Sequence, residues 1–595
     1  MSVKEKNLHC LMKLRPDLYK LYDSGKGDEP QKIVSNSGHP VFRYKTVAFH
    51  SLYKPESEGE QFVRKIDADA KNVWVYGVGY GYQLSKLLGM DVKIKLFEPS
   101  VDIFRSAVEN VDITGLIEKC DLEVGGDFDE KILNADLGNA ALVVHRPYLQ
   151  FFGEEYKKLE STFLVRSYLG KKRLRTLLVG PIYGGSEPTF RYAGAALKNL
   201  GVDLIKFDSS EYAKTFFKLG NITPNRRHGR QLKELFSRVL GEAIVGTADH
   251  QRPDLIIAVA QAPLEASIID RLKELKVPIV FWFVENYRTL PYWESVASHY
   301  DYFFTIQRGG FFEKLEKAGA TKVGYLPQAA SPSCHTPLEL TGDEKLRYGS
   351  DLSFMGAGYP NRRQFFNGLL DYDFKIWGTE WELEGELGER VMNKNVRLAP
   401  EEYVKIFNAS KINLNLHSSS VPSGIDPVSD FVNPRVFEVA ACGAFSLVDS
   451  RDELPPLMEP GKEIETFSSL AELREKADYY LRNPDERKNI ANAGRKRVLA
   501  DHTFEHRMVE LLRVVMENEG GSLGSQHADP LNRNVVRNMI KESTDDPELI
   551  EYLKRFDPDK EFPIKEAVEQ IRQGKGKLSH VESLILMMDQ LLVVK

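Results

Sequence analysis

Short apolar runs, separated by polar or amphipathic stretches, are the feature that most constrains the fold of this chain. Each run has the length of about four to eight residues that is typical of a buried strand. Examples are 73–77 (VWVYG), 175–180 (RTLLVG) and 351–356 (DLSFMG), all of which end at a glycine. Strands that alternate with helices in this way belong to parallel sheets covered by helices on both faces. The sequence therefore predicts an α/β protein built from Rossmann-like units.

The apolar runs are spread over more residues than a single domain contains. The chain has 595 residues, and a single core rarely grows beyond about 250–300 residues. We predict an N-terminal Rossmann-like domain, two Rossmann-like domains joined by a crossover at 331–350, and a helical C-terminal segment. A Gly- and Ser-rich stretch at 518–530 is typical of a linker. The predicted parts are residues 1–165, 173–335, 346–517 and 530–595.

Composition excludes several classes of protein. Lys and Arg total 80 and Asp and Glu total 86, so the net charge of -6 lacks the basic excess of a general nucleic-acid binder. The 4 cysteines lie far apart, without the spacing of a metal site or a disulfide framework. No stretch approaches the roughly 18–20 apolar residues of a membrane helix, and the N-terminus lacks the apolar core of a signal peptide. We expect a cytoplasmic protein with no metal site and no nucleic-acid partner.

The segment 423–445 carries the strongest chemical signal. Two acidic residues, Asp430 and Glu438, are separated by seven residues, with Arg435 between them. If a helix opens at 436–442, Glu438 lies in its first turn, where a carboxylate can accept hydrogen bonds from a ribose diol. The positive end of a helix and its free N–H groups favour a pyrophosphate close by. Arg435 can add a bidentate contact to phosphate.

This segment resembles the donor site of GT-B glycosyltransferases of the CgeB-like (CgeB/YkvP-like) group, whose members carry the pattern R-x-F-E-x-x-A-x-G. The matching residues here are Arg435, Phe437, Glu438, Ala441 and Gly443. Further motifs match in the family's order, so that the resemblance covers roughly residues 173–515. It implies a GT-B fold, in which two Rossmann-like domains face each other across a cleft.

The resemblance also implies the roles of individual residues. Arg362 would meet the donor phosphate, Asp430 would orient the sugar, and His417 would stand at a strand end where ligands bind. Asp430 departs from the family, which usually has glutamate there, and a buried histidine satisfied by its neighbours is an alternative for His417. The predicted catalytic residues are Asp430, Arg435 and Arg362. The predicted donor-binding residues are Gly356, Gly358, Asn415, His417, Gly424, Glu438, Gly184 and Gly185.

The first domain of the pair gives a weaker signal. Gly184 and Gly185 form a turn after a strand, which can contact the donor phosphate or the acceptor; an ordinary flexible turn is the alternative. His250 and Glu285 are polar residues at the ends of predicted elements. The sequence alone assigns neither of them as a catalytic base.

The N-terminal domain carries a glycine fingerprint of its own. Gly77, Gly79 and Gly81 follow an apolar strand, and Glu98 ends the next strand. This layout resembles the cofactor site of S-adenosylmethionine-dependent methyltransferases and the N-terminal part of Maf-type flagellin-modifying proteins. Val75 stands where the methyltransferases have an acid, and RPY (146–148) replaces their substrate-holding signature. We therefore predict a ligand-binding or scaffold domain that does not bind S-adenosylmethionine.

Together these motifs predict a glycosyltransferase. It would move a sugar from a nucleotide-sugar donor, a UDP-sugar being favoured, to a flagellin- or coat-like protein or a surface glycan. By resemblance, transfer would need no metal or other cofactor and would retain the configuration of the sugar. One alternative is a methyltransferase with a vestigial GT-B pair, and another is a non-catalytic assembly or binding protein. The sequence leaves the sugar, the nucleotide base and the oligomeric state open.

Overall fold

The computed structural model describes most of the chain. The described residues are 1–24, 27, 30–126, 128–135, 137–419, 421–422, 424–426, 428, 430–520, 523, 536, 539–540, 543, 546–558, 560, 562–574 and 576–593. The chain divides into two compact units, Met1–Asn518 and Glu519–Lys595. Most of the predicted linker at 518–530 lies outside the described residues.

The N-terminal domain combines a small antiparallel sheet with a parallel one. The antiparallel strands are β1 (Gln31–Val34), β2 (Pro40–Tyr44) and β3 (Val47–Ala48). The parallel strands are β4 (Asn72–Tyr76), β5 (Lys93–Glu98), β6 (Asp121–Val124) and β7 (Ala140–Val144). The helices are α1 (Val3–Leu14), α2 (Pro16–Ser24), α3 (Glu58–Val63), α4 (Val101–Asn110), α5 (Thr114–Lys119), α6 (Asp129–Leu133) and α7 (Leu149–Lys171). The parallel sheet has the order β6-β5-β4-β7, the Rossmann order around its first strand.

The second domain is a six-stranded parallel sheet with helices. Its strands are β8 (Arg175–Val179), β9 (Asp203–Phe207), β10 (Leu255–Val259), β11 (Ile279–Phe283), β12 (Tyr302–Thr305) and β13 (Val323–Tyr325). Its helices are α8 (Glu187–Asn199), α9 (Ala213–Gly220), α10 (Arg226–Gln251), α11 (Ala266–Lys273) and α12 (Gly310–Lys317). β10 and β11 are buried along their whole length, as expected of central strands covered on both faces.

The third domain is a five-stranded parallel sheet. Its strands are β14 (Leu352–Met355), β15 (Phe374–Trp377), β16 (Ile412–Asn415), β17 (Ser446–Asp449) and β18 (Glu465–Phe467). Its helices are α13 (Gly342–Tyr348), α14 (Pro360–Phe366), α15 (Gly385–Glu389), α16 (Pro400–Ala409), α17 (Arg435–Ala441), α18 (Leu470–Arg482), α19 (Pro484–Asp501) and α20 (Phe504–Glu519). α20 returns to the second domain, where Arg507 donates to the carbonyls of Pro327 and Gln328.

In both sheets of the pair, the order in which strands are added reverses at the first strand of the sheet. The orders are β13-β12-β11-β10-β8-β9 and β15-β14-β16-β17-β18, so each sheet grows to one side of its first strand and then to the other. Ligands bind beyond the carboxyl ends of the strands at such a reversal. The third domain thus has its crevice after β14 and β16, and the second domain after β8 and β10. The predicted α/β fold, with a GT-B pair and an additional Rossmann-like domain before it, is confirmed.

Helix α7 crosses the predicted domain boundary at residue 165. Its first part contributes Tyr156, Leu159 and Phe163 to the hydrophobic cluster of the N-terminal domain. Val165 and Leu169 are buried as well but lie outside that cluster. The helix therefore continues through the predicted boundary without a loop, and the position of that boundary stays a prediction.

The second unit contains three described helices. They are α21 (Pro547–Leu553), α22 (Ile564–Gln573) and α23 (His580–Val593). Tyr552, Val568, Ile571, Val581 and Ile585 form its small hydrophobic cluster. Among the described residues of the chain, no helix combines the length and the apolar character needed to cross a membrane.

Candidate functional site

Arg362 is a buried cation at the crevice of the third domain. Its Nε donates to the carbonyl of Leu416 at 2.8 Å, and its Nη1 donates to the carbonyl of Ala357 at 2.9 Å. Its guanidinium lies over the rings of Phe354 and Tyr359, at 5.0 and 4.9 Å. Within the described residues no carboxylate pairs with it, and burial lowers the pKa of Arg362 to about 10. A buried charge that contacts only dipoles lowers the stability of the folded protein. Such a charge is expected at a site that binds an anion.

Arg435 and Glu438 lie on the first turn of α17, as predicted. Arg435 donates to Glu438 and stacks on Tyr403, with 4.4 Å between guanidinium and ring centre. Glu438 is buried, and its Oε1 lies 3.7 Å from Nε2 of His335. Burial, with the charge of Arg435 adding to it, lowers the pKa of His335 to about 3. His335 is therefore neutral at physiological pH, and Arg435 is the cation that balances Glu438; contact of Glu438 with a ribose stays a prediction.

His417 and Asn415 hold the loop that leads into α17. His417 Nδ1 lies 2.6 Å from Asp449, and its Nε2 accepts from the main-chain N–H of Asn433 at 2.9 Å. Burial lowers the pKa of His417 to about 4. Asn415 and Asn433 exchange side-chain hydrogen bonds at 3.0 and 2.7 Å. Both predicted donor-binding residues thus have protein partners for these groups, and their contact with a donor stays a prediction.

Asp430 connects the two domains of the pair. Arg288 donates to both of its carboxylate oxygens, at 3.0 and 2.6 Å, and Gln307 donates at 3.1 Å. Arg288 and Gln307 follow β11 and β12 of the second domain. A sugar that replaced these partners would have to break a bidentate ion pair. The predicted catalytic role of Asp430 therefore stays a prediction, and its observed contact is with the facing domain.

The glycines of the donor domain differ in what surrounds them. A Cβ on Gly356 would lie 2.9 Å from the ring of Phe354 and 3.3 Å from Nη1 of Arg362, so this glycine leaves room for both side chains. A Cβ on Gly358 would lie 2.6 Å from the carbonyl of Glu380, so this glycine is required by packing. Gly424 has a φ of +72° and open space where its Cβ would point. Gly356 and Gly424 thus border the crevice, whereas Gly358 packs against the neighbouring turn.

Gly184 and Gly185 lie at the corresponding edge of the second domain. Gly184 has a φ of +120°, and a Cβ there would lie 2.1 Å from Oε1 of Gln261. Its carbonyl accepts from Arg397 of the third domain at 2.7 Å. A Cβ on Gly185 would lie 3.7 Å from Oε1 of Glu285. The predicted glycine turn therefore lies at the cleft, and its observed contacts are with other residues of the protein.

The glycine turn of the N-terminal domain is occupied by its own side chains. Glu98 is buried and accepts from the N–H groups of Val78 and Gly79, at 3.1 and 3.0 Å. Tyr148, from the RPY segment, donates to Glu98, and a Cβ on Gly77 would lie 2.3 Å from its ring. The carboxylate of Glu98 and the N–H groups of the turn are therefore already hydrogen-bonded. A bound cofactor would need the same groups for its ribose and for the neighbouring phosphate or methionine. Gly81 has a φ of +77° and begins a short 3-10 turn; ligand binding by these four predicted residues stays a prediction.

His50, Glu58 and His145 place three potential metal ligands within 4.8 Å of one another. His50 Nε2 accepts from the main-chain N–H of Tyr80 at 2.9 Å, so its ring proton resides on Nδ1, which faces Glu58 at 2.9 Å. His50 therefore has no free lone pair for a cation. The group is a hydrogen-bonded cluster beside the glycine turn.

S-Adenosylmethionine is not expected to bind to this domain. Tyr148 fills the space in front of Gly77, and Glu98 is already bonded to the turn. Titration of the full chain with up to millimolar S-adenosylmethionine should give no saturable heat. The variant Tyr148→Ala tests whether the ring blocks the site, because it removes the ring and leaves Glu98 in place. Saturable binding to the unaltered chain would contradict the expectation.

The sequence analysis missed several residues of the site, Arg451 and Arg288 among them. Arg451 is buried and donates to Asp449 at 2.6 Å, so Asp449 joins His417 and Arg451 in one network. Arg288 is the partner of Asp430. Both arginines follow an apolar strand within a few residues, which is the one signal that points to them. Neither belongs to a motif with a fixed spacing.

Comparisons with known proteins agree with the position of this site. Residues 362–513 match the family described as Glycosyl transferase-like. The spore protein CgeB of Bacillus subtilis (strain 168) is 25% identical over 277 residues, which cover 44% of this chain and 83% of CgeB. An uncharacterized protein of Aquifex aeolicus (strain VF5) is 28% identical over 151 residues, which cover 24% of this chain and 34% of that protein.

Solved structures match part of this chain at low identity. The sucrose-phosphate synthase of Thermosynechococcus elongatus has a TM-score of 0.39 and 13% identity, covering 58% of this chain and 100% of that one. Anabaena Alr3699/HepE in complex with UDP-glucose has a TM-score of 0.37 and 11% identity, with coverage of 58% and 100%. Overlaps of this size establish neither substrate nor mechanism. The resemblance to the CgeB-like group that the sequence predicted is confirmed by the family and CgeB matches, and the predicted enzyme class, glycosyltransferase, is confirmed by the glycosyl transferase-like domain at residues 362–513.

Proposed function

We propose that this chain transfers a sugar from a nucleotide-sugar donor, with a UDP-sugar favoured, to a protein or surface-glycan acceptor. The observation that carries the proposal is Arg362, a buried guanidinium with two carbonyl partners and no carboxylate partner within the described residues. It lies in the crevice after β14 and β16, where a donor is expected. A diphosphate would supply the negative charge that the buried guanidinium lacks.

In the proposed reaction the bond between the sugar C1 and the diphosphate oxygen breaks, and the diphosphate leaves with the electron pair. Arg362 and Arg435 stabilise the charge that develops on it, which is usually the largest contribution to catalysis. Glu438 accepts hydrogen bonds from the ribose, and Asp430 or the main chain at Gly424 orients the sugar. The resemblance implies retention, in which the leaving diphosphate takes the proton of the acceptor and the protein supplies no base.

For the acceptor we propose a flagellin- or coat-like protein that the N-terminal domain recognises. The glycine turn of that domain is closed by Tyr148 and Glu98, which favours a binding role over methyl transfer. A domain tethered to the GT-B pair raises the effective concentration of a weakly bound acceptor at the cleft. The 4 free cysteines and the nucleotide-sugar donor fit a reducing compartment, so the proposal includes a cytoplasmic location.

Donor hydrolysis is expected to continue at an unchanged rate in excess EDTA. Arg362 and Arg435 provide the positive charge that a divalent ion would otherwise bring to the diphosphate. An Asp-x-Asp triplet does occur at Asp371–Asp373, but it precedes β15, at the sheet edge away from the crevice. Asp371 there accepts two hydrogen bonds from Arg474, each at 2.7 Å.

The measurement is release of nucleoside diphosphate from a panel of nucleotide sugars, before and after dialysis against EDTA. A metal-dependent glycosyltransferase prepared in parallel serves as the control for complete chelation. Activity that disappears with EDTA and returns with Mn²⁺ would contradict metal independence. The absence of both hydrolysis and diphosphate binding across the whole panel would contradict the proposed function itself.

A further inference from the structure

Glu285 is a carboxyl group at the cleft that the proposed function has not used. It follows β11 in the second domain, and its Oε1 lies 3.7 Å from where a Cβ on Gly185 would be. The carboxyl ends of β8 and β11 thus bring it to the glycine turn, at the sheet edge that faces the donor domain. The residue is half-buried, which leaves its carboxylate reachable from the cleft.

The carboxylate of Glu285 has no partner among the described residues. None of their N–H or O–H groups donates to it, and none of their cationic side chains lies within ion-pair distance. Burial alone raises the pKa of Glu285 to about 7, with no opposing hydrogen bond or charge. Buried carboxyl groups in proteins are almost always paired or hydrogen-bonded. An unpaired one in a cleft is typical of a group kept for a ligand or for catalysis.

Two tyrosines face Glu285 from the neighbouring elements. Tyr292, in the 3-10 turn after β11, accepts from the N–H of Gln261, and both burial and the charge of Glu285 raise its pKa. Tyr359, before α14 of the donor domain, has a pKa raised by burial, with the charge of Glu285 adding to the rise and that of Arg362 opposing it. Tyr359 is 38% exposed. Its ring lies under the guanidinium of Arg362, at 4.9 Å, and its hydroxyl is close enough to Glu285 to sense the charge of that carboxylate.

We propose that Glu285 is the catalytic base of the acceptor side. The ionised carboxylate takes the proton from the acceptor hydroxyl while the hydroxyl oxygen forms a bond to C1 of the sugar. The bond from C1 to the diphosphate oxygen breaks in the same displacement, and the electron pair leaves with the diphosphate toward Arg362. The proton ends on Glu285, and the charge ends on the diphosphate. This inference rests on the proposed sugar transfer, and it replaces the base-free, retaining course that the resemblance implies.

A base on the acceptor side changes the expected stereochemistry. The acceptor oxygen enters on the face opposite the diphosphate, so a single displacement inverts the configuration at C1. Retention, which the resemblance implies, needs no such group. Water can replace the acceptor in the same position, so hydrolysis of a donor such as UDP-glucose is a sufficient probe. The inference therefore predicts that UDP-α-glucose first releases β-glucose.

The pH dependence follows from the ionisation of the same group. A base acts only when ionised, so kcat/KM, which reports the ionisation of the free enzyme, should rise with pH until the carboxyl has titrated. With a pKa of about 7, about one tenth of the sites are ionised at pH 6 and about nine tenths at pH 8. Tyr292 and Tyr359 titrate far above this range because their pKa values are raised.

The test compares Glu285→Gln with Glu294→Gln. Glu294 is an exposed carboxyl in the same 3-10 turn as Tyr292, so the control makes the same chemical change outside the cleft. Glu285→Gln should lower kcat for UDP-glucose hydrolysis by about 10²–10⁴-fold and abolish the rise with pH. Binding of UDP, measured by calorimetry, should stay unchanged because Glu285 lies on the opposite wall. Glu294→Gln should leave all three quantities unchanged.

Stability provides a readout that does not depend on activity. Because the pKa of Glu285 is raised in the folded state, its ionised form is disfavoured there, and ionisation of Glu285 lowers the stability of the wild-type protein as pH rises from about 5 to 8. Glu285→Gln should therefore raise the Tm at pH 8 and leave it unchanged at pH 5. This result would show that the variant folds and that the carboxylate is unpaired.

Two results would overturn the assignment of Glu285. One is hydrolysis by Glu285→Gln at the wild-type rate. The other is initial release of α-glucose, measured by proton NMR on the wild-type protein. After either result, the proposed function still holds if the wild-type protein binds UDP and hydrolyses UDP-glucose. If the wild-type protein neither binds UDP nor hydrolyses any nucleotide sugar, the proposed function fails, and the assignment of Glu285 fails with it.

Discussion

Replacing Arg362 by methionine is expected to lower nucleotide-sugar hydrolysis by about 10²–10³-fold. Methionine replaces the apolar stem of the arginine side chain, but it lacks the guanidinium and so removes the charge from the crevice and from the ring of Phe354. The carbonyls of Leu416 and Ala357 then lose their donors, which costs about 1–3 kcal/mol per buried group. Loss of an unpaired buried charge offsets part of that cost, so the variant should remain folded. Steady-state kinetics and the Tm measure the two effects separately.

Arg363→Met is the matched control. The two arginines are neighbours on α14, but Arg363 is more exposed, donates to the carbonyl of Gly358 at 2.5 Å and pairs with Glu382. Exposed ion pairs of this kind contribute little to stability, so hydrolysis should stay within about twofold of wild type. Arg362→Lys adds a test of geometry, because lysine keeps the charge without the planar fork. Equal losses for Arg362→Met and Arg363→Met would remove Arg362 from the site.

The parallel strands of the fold were predictable from the sequence because each buried strand is a short apolar run. The strands at 73–77, 175–180 and 351–356 were placed within a residue or two of β4, β8 and β14. The border near residue 165 was harder to place because α7 continues through it without a loop. Local patterns report strands and turns well, whereas a border without a loop depends on tertiary packing.

The position of the site was predictable, but the partners of its residues were not. Glu438 lies on the first turn of a helix, as was expected if a helix opened at 436–442. Asp430, however, pairs with Arg288, which stands 142 residues earlier in the chain. No local pattern specifies a contact of that sequence separation. The same holds for His417, whose alternative interpretation, a buried histidine with satisfied nitrogens, describes its observed contacts with Asp449 and Asn433.

Deletion of residues 1–163 is expected to abolish transfer to a protein acceptor while leaving donor hydrolysis within about threefold of wild type. The main hydrophobic cluster of the N-terminal domain runs from Cys10 to Phe163 and includes no later residue, so deletion would not empty the cores of the GT-B pair. The deletion retains Val165 and Leu169, which are buried outside that cluster. Hydrolysis needs only the donor and water, whereas the proposed acceptor is delivered by the deleted domain.

The deletion breaks polar contacts with the GT-B pair. Lys158 pairs with Asp501 at 2.8 Å, and His506 Nε2 lies 3.0 Å from Asp129. Polar contacts between domains leave surfaces that tolerate water, so the shortened chain should stay monodisperse in size-exclusion chromatography. Adding the separate fragment 1–163 at micromolar concentration should restore little transfer, because a tether supplies an effective concentration on the order of millimolar. Full transfer by the shortened chain would overturn acceptor recognition by the N-terminal domain, and loss of hydrolysis with an intact fold would place part of the donor site within it.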